Sequence, residues 1–360
     1  MPKFILLADP DHYSPCTQNM LVDLEFRDYW LDHFLSHFDL ISSLCVETYG
    51  EQARPAAAAA KQALAIELRQ FRSKPERLGE LDLEVLGRIR QDVLQAHHIP
   101  DPFKAMKDRE NTAMLGVYPH VIDELDRHPR TDSEMLLLLI EGVFAGNIFD
   151  LGASATATKF SSESPDFIKI RADLAHSRPW LVDDFDEFAD RLLHGHRHEK
   201  ALFFLDNAGS DAILGVIPLV RWLARRGIQT HLLANEEPAL NDLTYSELCD
   251  LLPRLATVDG VLRDLLRAEM IVPGSSGGRT PLIDLRKVSP ACNAVAAGAD
   301  LLFLEGMGRG LESNFNSRFT VDTVKLCMIK EPIIAQRHHG KVFDVVLRFD
   351  CADQRGKRAR

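Results

Sequence analysis

The chain has 360 residues, of which 46% are hydrophobic and 26% are charged, and its formal net charge is −11. This length allows a sizeable core arranged as two subdomains or one large domain. The negative charge argues against a general nucleic-acid binder, although a local metal can make one pocket attractive to an anionic small molecule. Six scattered cysteines without a CxxC pair argue against a structural zinc site and fit a reducing compartment. We find no signal peptide or membrane-spanning stretch, and we expect a soluble cytoplasmic protein.

The N-terminal half is predicted to be helical. Apolar residues recur at helical spacing in five segments: 20–47, 56–72, 82–97, 134–149 and 182–193. Asp132 or Ser133 is the candidate cap of the fourth helix. We therefore predict a helical region over residues 1–198.

From about residue 200 the pattern changes to alternating strands and helices. The strand candidates are 201–205, 228–233, 269–272, 300–304 and 342–349. An amphipathic helix over 211–226 ends at Gly227, and the segments 285–297 and 321–337 are candidate crossovers. This alternation predicts an α/β fold, with a parallel sheet covered by helices on both faces, over 199–350. Residues 351–360 are expected to form a disordered basic tail.

Polar side chains follow the predicted inner strands where each strand ends. Asp206 and Asn207 follow the first strand, Asn241 and Asp242 follow the second, and the segments GSSGG (274–278) and EGMGRG (305–310) follow the next two. Because the carboxyl ends of parallel strands share one edge of a sheet, these groups are expected to converge. Their oxygens suit a hard divalent cation. The alternative is that Asp206 and Asn207 only cap the following helix.

Several residues near this edge are candidates for acid–base work or phosphate binding. Arg309 has the fork geometry for a phosphate, and Glu305 could act in acid–base chemistry, unless the two merely brace a tight turn. The GSSGG segment is either a backbone cradle for phosphate or a flexible turn. Asp211 lies one helical turn beyond Asp206 and is a weaker candidate for a general base, against a plain helix-start carboxylate.

Two histidine clusters are interpreted as structural. His194, His196 and His198 precede the first predicted strand, so they should lie at the opposite end of the sheet in a solvated loop. His338 and His339 are predicted to end a helix.

Four segments together resemble one protein family: LDNAGSDAILGVIPLVRWL (205–223), LLANEEPALNDLTYSEL (232–248), PLIDL (281–285) and DLLFLEGMGRGLESN (300–314). They look like the metal-dependent damage-control phosphatases, once catalogued as domain of unknown function eighty-nine. The EGMGR motif points to the second subfamily, which includes a plant phosphatase and the C-terminal domain of pantothenate kinase 4-like proteins. The similarity runs from Ala201 to Phe349 and extends more loosely to 101–111 and 142–152.

The resemblance implies a helical N-terminal region packed on a Rossmann-like α/β/α core. It also implies hydrolysis of small phosphate monoesters, such as phosphopantetheine-like esters, sugar phosphates or damaged phosphometabolites, by a metal-activated water. The metal ligands carried over are Asp206, Asn207 and Asp242, and the metal is manganese, cobalt, nickel or magnesium.

Within this reading, Arg309 and Lys330 would neutralise the phosphoryl charge, with a backbone donor from Gly308. Asn147 would reach the pocket from the helical region, and Asn314 is a similar candidate. The plain alternatives are a surface position for Lys330 and a helix C-cap for Asn147.

Other mechanisms and activities stay open. Asp206 itself could be a nucleophile that forms a phosphoenzyme, although the haloacid dehalogenase pattern is absent. The competing functions are a non-hydrolytic ligand-binding protein and an S-adenosylmethionine-dependent carboxyl methyltransferase on the same core. The expected partner is a small phosphorylated metabolite, with neither nucleic acid nor membrane.

Overall fold

The structure, a computed structural model, describes residues 2–16, 18–148 and 178–354, together with Phe167, Ile170 and Arg171. The end of the predicted basic tail, residues 355–360, lies outside the described residues, as do residues 149–152 of the segment with looser family similarity. Within the described ranges, no helix combines the length and hydrophobicity needed to cross a membrane.

The N-terminal region is helical, as predicted. Its long helices are α1 (Leu24–Tyr49), α2 (Arg54–Ser73), α3 (Leu83–Ala96), α4 (Lys104–Arg127) and α5 (Asp132–Ile148). Helix α4 was not predicted. Thr131, rather than Asp132 or Ser133, caps α5, because its hydroxyl accepts the Glu134 amide at 3.3 Å while the Glu134 carboxylate accepts the Thr131 amide at 2.8 Å.

A sheet of seven strands forms the centre of the C-terminal part. The strands are β1 (Val182–Asp183), β2 (Lys200–Phe204), β3 (Gln229–Ala234), β4 (Ile271–Ser275), β5 (Leu301–Glu305), β6 (Asp322–Met328) and β7 (Val345–Asp350). Their order is β1-β7-β6-β5-β2-β3-β4, and only β6 and β7 pair antiparallel. The predicted α/β class is confirmed, and the sheet is mixed rather than wholly parallel.

The helices of this part cover both faces of the sheet. They are α6 (Phe185–Leu193), α7 (Ile217–Arg225), α8 (Tyr245–Ala256), α9 (Gly260–Arg267), α10 (Pro290–Ala296) and α11 (Pro332–Arg337). Along β2, Phe203 packs in one apolar cluster and its neighbours Leu202 and Phe204 pack in another, so both faces of this strand are buried.

Three predictions for this part need correction. The segment 321–337 is not one crossover, since it contains β6 and the short α11. The segment 182–193 begins with β1 and becomes helical only at Phe185. His198 is buried rather than solvated, and its Nε2 lies 3.0 Å from the Asp322 carboxylate at the start of β6.

The order of the strands places a crevice at the centre of the sheet. β2 pairs with β3 on one side and with β5 on the other, so the chain leaves β2 in one direction and returns on its opposite flank. The carboxyl ends of β2 and β5 therefore form a topological switch point, where ligands collect in open α/β sheets. Two π-helical turns, Asp211–Val216 and Met307–Ser313, follow these strands.

Candidate active site

Two carboxylates meet at the switch point between β2 and β5. Glu305 is the last residue of β5, and Asp206 lies two residues beyond the end of β2. The Glu305 carboxylate accepts the Asp206 backbone amide at 2.8 Å. Both side chains are buried, so the fold holds two acidic groups side by side away from water, an arrangement that needs compensation by cations or protons.

A third carboxylate completes an acidic cluster. Asp211 stands at the start of the π-helical turn that follows β2, and the Asn207 side-chain amide donates to Asp206 and Asp211 at 2.9 and 3.0 Å. One oxygen from each of Asp206, Asp211 and Glu305 lies within 4.8 Å of the others. This spacing would allow the three groups to share a divalent cation.

Asn147, near the end of α5, was predicted to reach the pocket and bind phosphate, but it does not line the cavity beside Asp206 and instead contacts the carboxylates of this cluster. Its side-chain amide donates to Asp211 at 2.7 Å and to Glu305 at 3.1 Å. This interaction positions the acidic cluster from the helical region.

Arg309 and Asp242 lie on the other side of Asp206. The Arg309 guanidinium contacts the Asp206 carboxylate and lies 2.6 Å from the Asp242 carboxylate. Asn235, the residue after β3, donates to the same Asp242 oxygen at 2.8 Å. Arg309 therefore joins the ends of different strands and does not merely brace a turn with Glu305. Burial alone would lower the pKa of Arg309, yet the charges of Asp242 and Asp206 raise it above its usual value.

Two positions of the EGMGRG segment accept only glycine, because a larger residue there would overlap neighbouring atoms. Gly306 has a φ of +94°, and a Cβ there would overlap the Asp206 carboxylate. A Cβ at Gly308 would overlap the Pro281 carbonyl oxygen. Small residues at these positions let the backbone after β5 pass directly beside Asp206.

Burial and mutual repulsion disfavour the ionised forms of the carboxyl groups in the acidic cluster. Burial and the neighbouring Asp206 charge raise the pKa of Asp211 to about 7. Burial and the charges of Asp211 and Asp206 raise the pKa of Glu305 well above its usual range. Asp211 Oδ1 and Asn147 Oδ1 are also buried without a hydrogen-bond partner among the described residues. Unsatisfied oxygens beside crowded carboxylates are the donor set that a divalent cation prefers, so these residues fit a metal.

A cavity of about 110 Å³ opens beside the cluster. Its inner wall is formed at the sheet edge by Asp206, Asn207, Asp242, Gly308 and Lys330. Lys330 is only 1% exposed, so the alternative of a surface lysine is wrong.

The outer wall of the cavity comes from the helical region and was not predicted. It includes Trp30, His33, Phe34 and His37 on α1, and Arg90 on α3. The α1 residues recur at spacings of three and four, so they share one helix face. This spacing is visible in the sequence, but helix residues that pack in a hydrophobic core have the same spacing, so the pattern alone does not identify a cavity wall.

The GSSGG segment does not form a free phosphate cradle. Gly274 and Ser275 belong to β4, and the Gly277 and Gly278 amides donate to the Ser275 and Ser276 hydroxyls, both at 3.1 Å. The segment does not line the cavity beside Asp206. Asn314 also has a supporting role, since its side-chain amide donates to the Arg309 carbonyl at 3.1 Å.

Two buried carboxylates, Asp211 of the acidic cluster and Glu312 in the cavity wall, should make the metal-free protein less stable as the pH rises. Burial, followed by the charges of Glu331 and Asp206, raises the pKa of Glu312 to about 8. Glu312 and Asp211 bind protons more tightly in the folded than in the unfolded chain, where both titrate near pH 4. Their stabilising contribution is full below about pH 4 and is lost as the pH rises through about 7 and 8. In the presence of a chelator, we expect Tm to fall between pH 5 and pH 8.

The Glu312→Gln variant measures the contribution of Glu312 to this fall of Tm with rising pH. Glu84 and Glu141, whose pKa burial raises to about 7, act in the same direction, so the slope of Tm against pH should become shallower without vanishing. A Tm that is constant or rises over this range in the unmodified protein would contradict the prediction.

Comparisons with known proteins identify the family. The model of the damage-control phosphatase ARMT1-like domain matches residues 41–346. A damage-control phosphatase of Arabidopsis thaliana is 37% identical over 76% of this chain and 73% of its own length. A 4'-phosphopantetheine phosphatase of Mus musculus is 30% identical over 96% of this chain. A protein of Arabidopsis thaliana named pantothenate kinase 2 is 38% identical over 96% of this chain.

The chain spans less than half the length of the last two relatives, 48% and 41% respectively. A solved structure of a DUF89 family protein from Pyrococcus horikoshii has the same fold, with a TM-score of 0.57 at 15% identity, covering 86% of this chain and 96% of that protein. These findings confirm the family resemblance predicted from the sequence. Since the family match extends over most of its length, the chain belongs to the damage-control phosphatase ARMT1-like family.

Proposed function

We propose that this protein is a metal-dependent phosphatase that hydrolyses small phosphate monoesters. The observation that carries the proposal is the buried acidic cluster of Asp206, Asp211 and Glu305, whose member Asp206 also lines a small cavity with Lys330. One relative is named a 4'-phosphopantetheine phosphatase, so phosphopantetheine-like esters are the first substrates to test, followed by sugar phosphates and damaged phosphometabolites. The free cysteines support the proposed cytoplasmic location.

We assign the metal to Asp206, Asn207 and Asp242. A cationic group already lies between two of these residues, because Arg309 contacts both carboxylates. The same pair of charges could stabilise manganese, cobalt, nickel or magnesium. When bound, such a cation would polarise the phosphoryl group and lower the pKa of a coordinated water.

The protein's own side chains would supply positioning and charge balance, which phosphoryl transfer requires. Asp211 is our candidate for the general base, because a pKa of about 7 suits proton transfer near neutral pH. Glu305 would hold Asp206 in place through its backbone amide, and Asn147 would orient Asp211 and Glu305. Lys330 and Arg309 would offset the charge of the phosphoryl group.

Hydrolysis of p-nitrophenyl phosphate by metal-stripped protein tests the function. Manganese, cobalt, nickel and magnesium would be restored separately, and we expect phosphate release only with a metal. No release with any of the four metals would contradict the proposal and favour a non-hydrolytic ligand-binding protein. Calorimetric binding of S-adenosylmethionine in that case would favour a carboxyl methyltransferase.

Two isosteric variants distinguish the proposed ligand set from the acidic cluster. If Asp242 binds the metal, Asp242→Asn should weaken manganese binding by about 10- to 100-fold, because a charged ligand is lost. Glu305→Gln should lower kcat with a smaller effect on manganese affinity. Calorimetric titration of each metal-free variant with manganese measures the two affinities. If Glu305→Gln weakens manganese binding more than Asp242→Asn does, the metal is assigned to Asp206, Asp211 and Glu305.

A further inference from the structure

Among the described residues, Arg90 differs from most other buried cations in its surroundings. Most buried lysines and arginines have a carboxylate partner: Arg27, Lys107, Arg171, Arg221, Arg309 and Lys325. Arg90 is 6% exposed, yet no carboxylate oxygen of the described residues lies within 4.0 Å of its guanidinium. A buried charge without a partner is costly, so the arrangement calls for an anion that the described residues do not provide.

The surroundings of Arg90 hold its guanidinium at the cavity. Arg90 lies on α3, and its guanidinium stacks over the Phe34 ring of α1 at 4.7 Å from the ring centroid. Both residues line the cavity that contains Asp206 and Asp242 at its other wall. Stacking fixes the plane of the guanidinium while its N–H groups, which lie at the edge of that plane, stay available for bonding.

Arg90 remains charged at neutral pH. Burial lowers its pKa to about 10, and the charge of Asp242 opposes that effect. Arg90 and Asp242 also line the same cavity. An anion between the two walls could therefore interact with Arg90 and with a cation at Asp242 together.

Arg309, the arginine predicted to bind phosphate, is less suited to that role. Its guanidinium donates to the Asp206 and Asp242 carboxylates and to the Pro281 carbonyl oxygen, at 3.2 Å for the last. Its charge is offset by two carboxylates, whereas that of Arg90 has no such partner among the described residues.

We propose that Arg90 binds the phosphoryl group of the substrate, as the anion-binding residue that the helical region contributes to the cavity. The inference rests on the proposed phosphatase function and names a phosphate-binding residue for it. A planar guanidinium can donate two parallel hydrogen bonds to phosphate oxygens, and its charge offsets that of a dianionic monoester.

Binding of inorganic phosphate tests the proposal without requiring turnover. Calorimetry on the manganese-loaded full chain should show that Arg90→Met weakens phosphate binding at least tenfold, and that Arg90→Lys has an intermediate effect because it keeps the charge but loses the fork. The matched control is Arg88→Met on the same helix, since Arg88 is partly exposed and lies 3.8 Å from the Glu84 carboxylate. This control should bind phosphate as the unmodified protein does.

A stability measurement separates phosphate binding from a structural role. Without phosphate, Arg90→Met should keep or raise Tm, because an apolar side chain replaces a buried charge without a carboxylate partner. Unchanged phosphate affinity in Arg90→Met overturns the proposal, even if KM for larger esters rises. A lower Tm with unchanged manganese and phosphate binding also overturns it. An unmodified protein that binds phosphate through Arg90 but hydrolyses no ester would refute the proposed function and leave this inference standing.

Discussion

Replacing Asp206 with asparagine is expected to lower kcat/KM for metal-dependent hydrolysis by at least about 1,000-fold, or about 4 kcal/mol of transition-state stabilisation. Asp206 is the residue that connects the two halves of the site, since it contacts Arg309 on one side and accepts from Asn207 at 2.9 Å on the other. Asparagine keeps the size of the side chain, but it removes the charge that a cation and Arg309 would both need.

Kinetics with p-nitrophenyl phosphate and manganese would measure the loss, and circular dichroism would check the fold. A suitable control is Asp300→Asn, because Asp300 accepts the Glu199 and Lys200 amides at the opposite end of the sheet. The control should retain turnover. Activity in Asp206→Asn within tenfold of the unmodified protein would contradict both the ligand assignment and the proposed mechanism.

The position of this site was predictable because it depends on local signals and one topological rule. Apolar runs that end in polar residues identified β2 and β5, and the rule that parallel strands share one carboxyl edge brought Asp206, Asp242 and Glu305 together. The α/β class followed from the same alternation of strands and helices.

The missed strand β6 shows where that pattern is misleading. Lys325 lies in the middle of β6 and is 1% exposed, so the buried strand does not read as a continuous apolar run. Its ammonium group is satisfied by the Phe315 and Ser317 carbonyl oxygens and by the Asp350 carboxylate, at 2.7–3.0 Å. These partners lie outside β6, so the sequence of the strand itself does not indicate them.

The partners of Arg309 and the aromatic residues of the outer cavity wall could not be predicted from the sequence, also because they depend on tertiary packing. Asp206 lies 103 residues before Arg309, and Asp242 lies 67 residues before it, so their contacts depend on the packing of the whole sheet edge. Trp30 and Phe34 have the spacing of core residues, and only the position of α1 over the sheet edge makes them part of a cavity wall.

The Arg309→Met variant tests whether the carboxylates around Arg309 are those that bind the metal. Removing one partner of a buried ion pair costs about 3–5 kcal/mol of unfolding free energy, because the remaining charges lose their compensation. Here the remaining charges are Asp206 and Asp242, which are 6% and 1% exposed. With a chelator present, we expect Arg309→Met to be destabilised by about this amount in denaturant unfolding at neutral pH.

Manganese should restore much of that loss if it binds between the same two carboxylates, because a ligand that binds only the folded state raises its stability. The increase in stability on adding manganese should therefore be larger in Arg309→Met than in the unmodified protein. The control is Arg286→Met, which breaks a partly exposed ion pair with Asp284 at 2.9 Å and should cost about 1 kcal/mol or less with or without metal. If Arg309→Met loses the same stability with and without manganese, Arg309 is not part of the metal site and its role is structural. If manganese restores the stability, the two carboxylates that Arg309 neutralises in the metal-free protein are also the ones that bind the catalytic metal.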